Sequence, residues 1–148
     1  MNNSAAMSAL LHPTPLSPTL HLANRITMSA LTRNRNTSAL TPGPASIEYY
    51  SQRATAGLII TEGVLVCALE TPWPYAPLMC EDEHAAAWKE VVDAVHEEGG
   101  RVSMQAWHVG RNGGMDGEGV KEAVGVFGRA AQLAKRAGFD GVEVLAQG

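Results

Sequence analysis

Four residue types stand where apolar runs of this sequence give way to polar loops. A hydroxyl, Thr32, lies in "SALTRNR". A glycine, Gly63, lies in "TEGVLV". An amide, Gln105, and an indole, Trp107, lie in "QAWHVGR". If the runs are parallel strands, these groups share the C-terminal end of a sheet, where α/β proteins bind ligands. The set suits a flat heteroaromatic ligand: an amide and open backbone bond its edge while an indole lines a face. Each residue also has a plainer use. Thr32 can cap a turn, Gly63 end a strand, Gln105 serve as a satisfied core amide and Trp107 pack. No carboxylate pair, Ser/His/Asp set or Cys/His dyad is spaced for catalysis. "GGMDGEG" lacks the Gly-Lys-Ser/Thr ending of a phosphate loop and reads as a connection. Cys67 and Cys80 have no CxxC spacing and read as free thiols. The five histidines form no HxxxH pair, so no metal site is expected.

The elements that must position these residues alternate. "RITMSAL" (25–31) reads as a first strand. "SIEYYSQRATAG" (46–57) reads as a helix capped by Ser46, with Ile47, Tyr50 and Ala54 on one face. "LIITEG" (58–63) is a buried-strand run. "EDEHAAAWKEVVDAVHEEGG" (81–100) is the clearest helix, with acidic residues in its first turn and Trp88, Val91, Val92 and Val95 as its apolar stripe. "RVSMQAW" (101–107) is a third strand, "KEAVGVFGRAAQLAKRAG" (121–138) a third helix and "GVEVLA" (141–146) a fourth strand. Near-continuous apolar strands alternating with helices define an α/β fold with a parallel sheet, either doubly wound or part of a (β/α)8 barrel. A complete barrel takes about 250 residues. The chain has 148 residues, material for about half of one.

Bulk properties exclude other classes. Hydrophobic residues make up 45% and charged residues 18%, as in ordinary globular chains. The formal net charge is −4 without a Lys/Arg cluster, so no nucleic-acid partner is expected. No apolar run approaches the ~20 residues of a membrane span. "MNNSAAMSALLHPTPLSPTL" has neither the basic flank of a signal peptide nor the arginines of a mitochondrial presequence, so a cytoplasmic location is expected.

Longer stretches carry a resemblance. "LANRITMSALTRNRNTSALTPGPASIEYYSQRATAGLIITEG" resembles the opening of the old yellow enzyme family. "WKEVVDAVHEEGGRVSMQAWHVGR" and "AGFDGVEVLAQG" are similar to its third and fourth strand units. The resemblance implies a partial (β/α)8 barrel, strands one to four with three helices, over residues 22–148, preceded by an irregular arm at 1–21. It implies FMN as cofactor, NADPH or NADH as hydride source and an enone-type activated alkene as substrate. Ala30, Thr32, Gly63 and Gln105 fall at flavin-contacting positions, and Trp73 and Trp107 at pocket-lining ones. His108, Val109, Gly110 and Arg111 match a signature of structural character.

Departures are equally specific. The family has a donor histidine after strand four, and here Leu145 stands there, with Ala146, Gln147 and Gly148 following. The proton-donating tyrosine, an arginine under the flavin and the phosphate-binding groups would fall beyond Gly148. The connection after strand three is shortened to "NGGMDGEGV". The expectation is a chain of the FMN oxidoreductase lineage that alone lacks turnover, the alternative being a non-catalytic remnant or interaction module. Open edges at strands one and four are expected to promote self-association.

Overall fold

The structure, a computed structural model, describes residues 9–68, 73–110 and 117–145. The elements follow in chain order: β1 (Thr14–Pro15), β2 (His21–Leu22), β3 (Thr27–Met28), α1 (Pro44–Ser51), β4 (Leu58–Leu65), α2 (Asp82–Glu97), β5 (Val102–Trp107), α3 (Gly117–Ala137) and β6 (Gly141–Leu145). Residues 111–116 and 146–148, where a shortened connection and the residues after Leu145 were expected, lie outside the described residues.

β3, β4, β5 and β6 form one sheet in that order, every pair parallel. Side chains alternate across a strand. Val102, Met104 and Ala106 therefore point one way from β5, into the main core with Ile59, Val64 and Val66. That core is closed by Tyr50 from α1, by Trp88, Val91, Val92 and Val95 from α2, and by Ala130, Leu133, Ala134 and Ala137 from α3. The helices thus cover one face of the sheet. Ser103, Gln105 and Trp107 point to the other, which is the interior face of a barrel plan.

α2 matches its sequence pattern closely. Glu81 accepts from the backbone of His84, and His84 Nδ1 accepts the Glu81 N–H at 3.1 Å, closing a capping box. Three expectations are corrected. α1 starts at Pro44 with Gly43 as N-cap, not at Ser46. Proline fixes φ and lacks only an N–H that the first turn leaves unpaired anyway. Ser46 is buried inside the helix and donates to Asn36 Oδ1 at 3.5 Å. The helix also stops at Ser51; Ala54 still reaches the core from the turn that follows. The first strand pairs only at Thr27 and Met28, against Leu58 and Ile59; further along, the backbone N–H groups of Arg33 and Asn34 bond the Glu62 side chain of β4 instead. The N-terminal arm, expected to be irregular, carries a short antiparallel ladder, Thr14 with Leu22 and Pro15 with His21.

Close approach explains one glycine. Asn24 Oδ1 accepts the Gly57 N–H at 2.9 Å, and its Nδ2 donates to Thr55 O at 2.9 Å. A Cβ on Gly57 would lie 2.0 Å from Asn24 O, so only glycine lets this clasp close below β3 and β4.

Candidate functional site

Gly63, Gln105 and Trp107 meet at the C-terminal end of the sheet. Gly63 pairs with Gln105 and Leu65 with Trp107 across β4 and β5. A Cβ built on Gly63 would stand 3.5 Å from Gln105 Oε1 and 3.8 Å from the Trp107 side chain. The missing side chain therefore leaves open space beside an amide oxygen and an indole. Gln105 Nε2 donates to Glu143 Oε1 at 2.6 Å from the next strand, which fixes the amide's orientation and turns Oε1 toward Gly63. Trp73 meets Trp107 edge to face, with ring centroids 5.3 Å apart. The two predicted pocket aromatics are in contact.

Ala30 and Thr32 lie one strand over, on the loop that follows β3. Ala30 is half-buried and Thr32 exposed. Among the described residues the Thr32 hydroxyl has no hydrogen-bond partner, so it does not cap a turn. What places this loop is a residue the sequence reading passed over. Glu62 is 1% exposed, yet it is a carboxylate in an apolar strand. Its Oε2 accepts the N–H groups of Arg33 (2.8 Å) and Asn34 (3.1 Å), and its Oε1 accepts Asn36 Nδ2 at 3.3 Å. Asn34 takes φ +52°, which turns consecutive N–H groups toward one oxygen. Asn36 Nδ2 also donates to Tyr75 O at 2.8 Å, and Asn34 Oδ1 accepts the Tyr75 N–H at 2.8 Å. One buried carboxylate thus joins the loop after β3, β4 and the loop after β4.

A bulge in β4 makes this possible. The β4–β5 register shifts between Ile60 and Gly63. Where the ladder is interrupted, side chains replace it: Thr61 Oγ1 accepts the Gln105 N–H at 3.1 Å, and the Tyr50 phenol oxygen accepts the Glu62 N–H at 2.9 Å. Burial is the largest influence on Glu62 and pushes its carboxyl above the usual range, against the pull of its three donors. Burial, helped by the Glu62 charge, raises the Tyr50 phenol far enough to keep it protonated. Arg33 and Arg53 stack over the Tyr49 ring, their guanidinium carbons 4.5 and 3.9 Å from its centroid.

The sequence signal for Glu62 was available. A charge inside "LIITEGVL" has to be matched by buried donors. Glu143 was missed because its role depends on β6 pairing Glu143 with Gln105, which spacing does not show. Leu145 pairs with Trp107, on the Gln105 face. It brings no hydrogen-bonding group to the position expected to differ. His108 Nδ1 accepts the Gly110 N–H at 3.0 Å, and Val109 is buried, a local structural use. The described residues hold no cluster of three metal-ligating side chains, and no helix among them is long and apolar enough to cross a membrane.

A parallel sheet with helices on one face and polar groups gathered at its strand ends defines a partial (β/α)8 barrel. Residues 9–119 match the NADH:flavin oxidoreductase / NADH oxidase family. The chain belongs to that family. It is 44% identical over 95 residues to 12-oxophytodienoate reductase 7 of Oryza sativa subsp. japonica, covering 64% of this chain and 24% of that protein. It is 35% identical to the rice protein called putative 12-oxophytodienoate reductase 5 over an alignment of 177 residues, covering 97% of this chain and 47% of the relative. Among solved structures, a variant of NCR from Zymomonas mobilis superposes with a TM-score of 0.86 at 38% identity, over 92% of this chain and 44% of that one. Morphinone reductase in complex with tetrahydroNAD gives 0.83 at 34% identity, over 92% and 48%. The chain spans about half the length of these relatives, or less.

Proposed function

We propose that this chain forms the flavin-facing N-terminal part of an FMN-dependent oxidoreductase that takes hydride from NADPH or NADH and reduces activated alkenes of the enone type. One observation carries the reading: Gly63 opens a space lined by Gln105 Oε1 and Trp107, at the strand ends where such barrels bind their ligand. The residues fit a flat heterocycle with polar edges. Gln105 would bond its edge, oriented by Glu143. Thr32 would offer its unpartnered hydroxyl from the loop that Glu62 holds, and Ala30 would bring backbone close to the ring. Gly63 would admit the ring without a clash. Trp73 and Trp107 would line the substrate side and exclude water. FMN, when bound, supplies the hydride chemistry.

In this reading residues 22–148 form the barrel part and 1–21 an N-terminal arm preceding it, and the protein works in the cytoplasm. Exposed Ile26 and Leu31 beside β3, and Val142 and Val144 on β6, support association along both sheet edges. A second reading, a flavin-holding chain without turnover, is favoured by Leu145. It stands beside Trp107 where the family resemblance places a donor histidine, and such donors stabilise developing oxyanion charge by ~3–4 kcal/mol.

Titration of the purified chain with FMN tests both. Saturable quenching of flavin fluorescence, weakened by Gln105→Leu, supports the flavin site, and its absence removes it. Oxidation of NADPH by the loaded chain with an enone acceptor supports turnover; saturable binding without oxidation leaves the second reading.

A further inference from the structure

The start of α1 and the loop after β3 enclose a cavity of about 90 Å³, and none of the residues assigned to the flavin lines it. Its walls hold more hydrogen-bond donors than the fold consumes. Arg33 and Arg35 line it from the loop, Arg33 half-buried and Arg35 exposed. The Arg33 guanidinium carbon lies 4.5 Å from the centroid of Tyr49, a further wall. Among the described residues neither guanidinium has a hydrogen-bond acceptor or an ion-pair partner. Arginines elsewhere do: Arg53 donates to Tyr49 O, Arg101 to Gly100 O, Arg129 to Glu81 and Arg136 to Asp82.

Two more donors come from α1. Tyr50 also lines the cavity and is 1% exposed, and burial keeps its phenol protonated. Its oxygen accepts the Glu62 N–H at 2.9 Å, but its own hydrogen finds no acceptor among the described residues. A buried polar hydrogen left without an acceptor is costly. Ala45, in the first turn of α1, is the other. Its N–H has no acceptor among the described residues, and the N-cap, Gly43, has no side chain to supply one. The acceptors on the walls are engaged already. Glu62 brings the negative charge, and its oxygens take the Arg33 and Asn34 N–H groups and Asn36 Nδ2. Arg33 offsets that charge, which leaves Arg35 and the positive end of α1 in surplus. The space is enough for several waters or one five-atom oxyanion.

We propose that this cavity binds a tetrahedral oxyanion of the phosphate class, held between the Arg33 and Arg35 guanidiniums, with the Tyr50 hydroxyl and the Ala45 N–H as further donors. Guanidinium forks match phosphate oxygens in pairs, and ionised partners make the stronger hydrogen bonds. The phosphate is free in solution or is carried by a nucleotide such as FMN. Occupancy ties α1 to the loop on which Ala30 and Thr32 stand. Only the nucleotide source rests on the proposed function; the anion site does not.

Urea melts of the whole chain in rising inorganic phosphate, with ionic strength held constant by sodium chloride, test the site. The midpoint should rise and then saturate, because a ligand bound by the folded state stabilises it by mass action. Arg35→Gln removes an exposed side chain without a partner among the described residues, so the chain should still fold. Its apparent phosphate affinity should fall about tenfold or more, the effect of losing a charge-assisted hydrogen bond. Arg25→Gln, at an exposed arginine outside the cavity, should leave the affinity unchanged. FMN and riboflavin distinguish the sources. Phosphate that competes with FMN but not with riboflavin identifies the nucleotide's own group, and phosphate that saturates without displacing FMN identifies the free ion; both support the site. A midpoint that climbs without saturating, as an excluded salt produces, a response to chloride equal to that to phosphate, or an unchanged affinity in Arg35→Gln would each overturn the proposal, whether or not the chain binds FMN.

Discussion

Replacing Glu62 separates its two roles, hydrogen-bond acceptor and buried charge. Glu62→Ala removes the acceptor for Arg33 N–H, Asn34 N–H and Asn36 Nδ2 together. A buried donor left unpaired costs about 1–3 kcal/mol. Arg33 and Asn34 are only half-buried and regain some water, which brings the expected total to about 3–5 kcal/mol, the range for breaking a buried charged contact. Glu62→Gln keeps an oxygen for the two backbone donors but turns its own NH2 toward Asn36 Nδ2, losing one bond. It also removes the charge whose burial raises this carboxyl, so the two effects offset and the net change at neutral pH is within about 1 kcal/mol. Urea melts at fixed protein concentration measure both variants. If Ala costs no more than Gln, Glu62 does not hold the loop and the account of Thr32 positioning fails with it.

The same residue sets a pH dependence. Its carboxyl is raised in the folded state above the ordinary value of 4.5, so the folded chain holds that proton more tightly than the unfolded one. The resulting stabilisation is complete below the unfolded value and is lost as pH rises through the higher folded value. The wild type should therefore lose this contribution on going up from about pH 4.5, and Glu62→Gln should lack that part of the slope. Parallel pH curves for the two proteins would refute the assignment.

Other outcomes follow from single contacts. Tyr50→Phe leaves the buried Glu62 N–H without its 2.9 Å acceptor and should cost about 1–3 kcal/mol in urea melts. Gly57→Ala drives a Cβ to 2.0 Å from Asn24 O and should lower the thermal midpoint by several degrees, corresponding to about 1–3 kcal/mol. Trp88→Phe should cost less than the usual ~3–5 kcal/mol of truncating a core aromatic to alanine. Phenylalanine keeps the ring contact with Tyr50 and Phe139, and among the described residues Trp88 Nε1 has no hydrogen-bond partner to lose. Gly63→Val should abolish saturable FMN quenching while leaving the urea midpoint nearly unchanged, because it fills the open space beside Gln105 rather than the core.

Legibility in the sequence followed the range of the interactions. α2 could be read almost to the residue, since its stripe and acidic first turn are local patterns, and the parallel order followed from strand and helix alternation. The gathering of Gly63, Gln105 and Trp107 was also within reach, because a strand-end rule needs only strand identity. What escaped depended on partners far apart in the chain. The first strand seemed longer because "RITMSAL" is apolar, but its later residues leave the sheet for a loop whose backbone donors meet a carboxylate 28 and 29 residues away. The bulge in β4 was hidden for the same reason: Thr61 replaces a ladder acceptor for a residue 44 positions later. These contacts lie behind the predicted ligand face rather than on it. Composition at the strand ends nominates the groups that would touch a flavin, whereas in the proposed reading the Glu62–Arg33–Asn34–Asn36 knot would decide whether Ala30 and Thr32 reach the same edge. A substitution in that knot should therefore weaken flavin binding without altering any residue proposed to touch the ring.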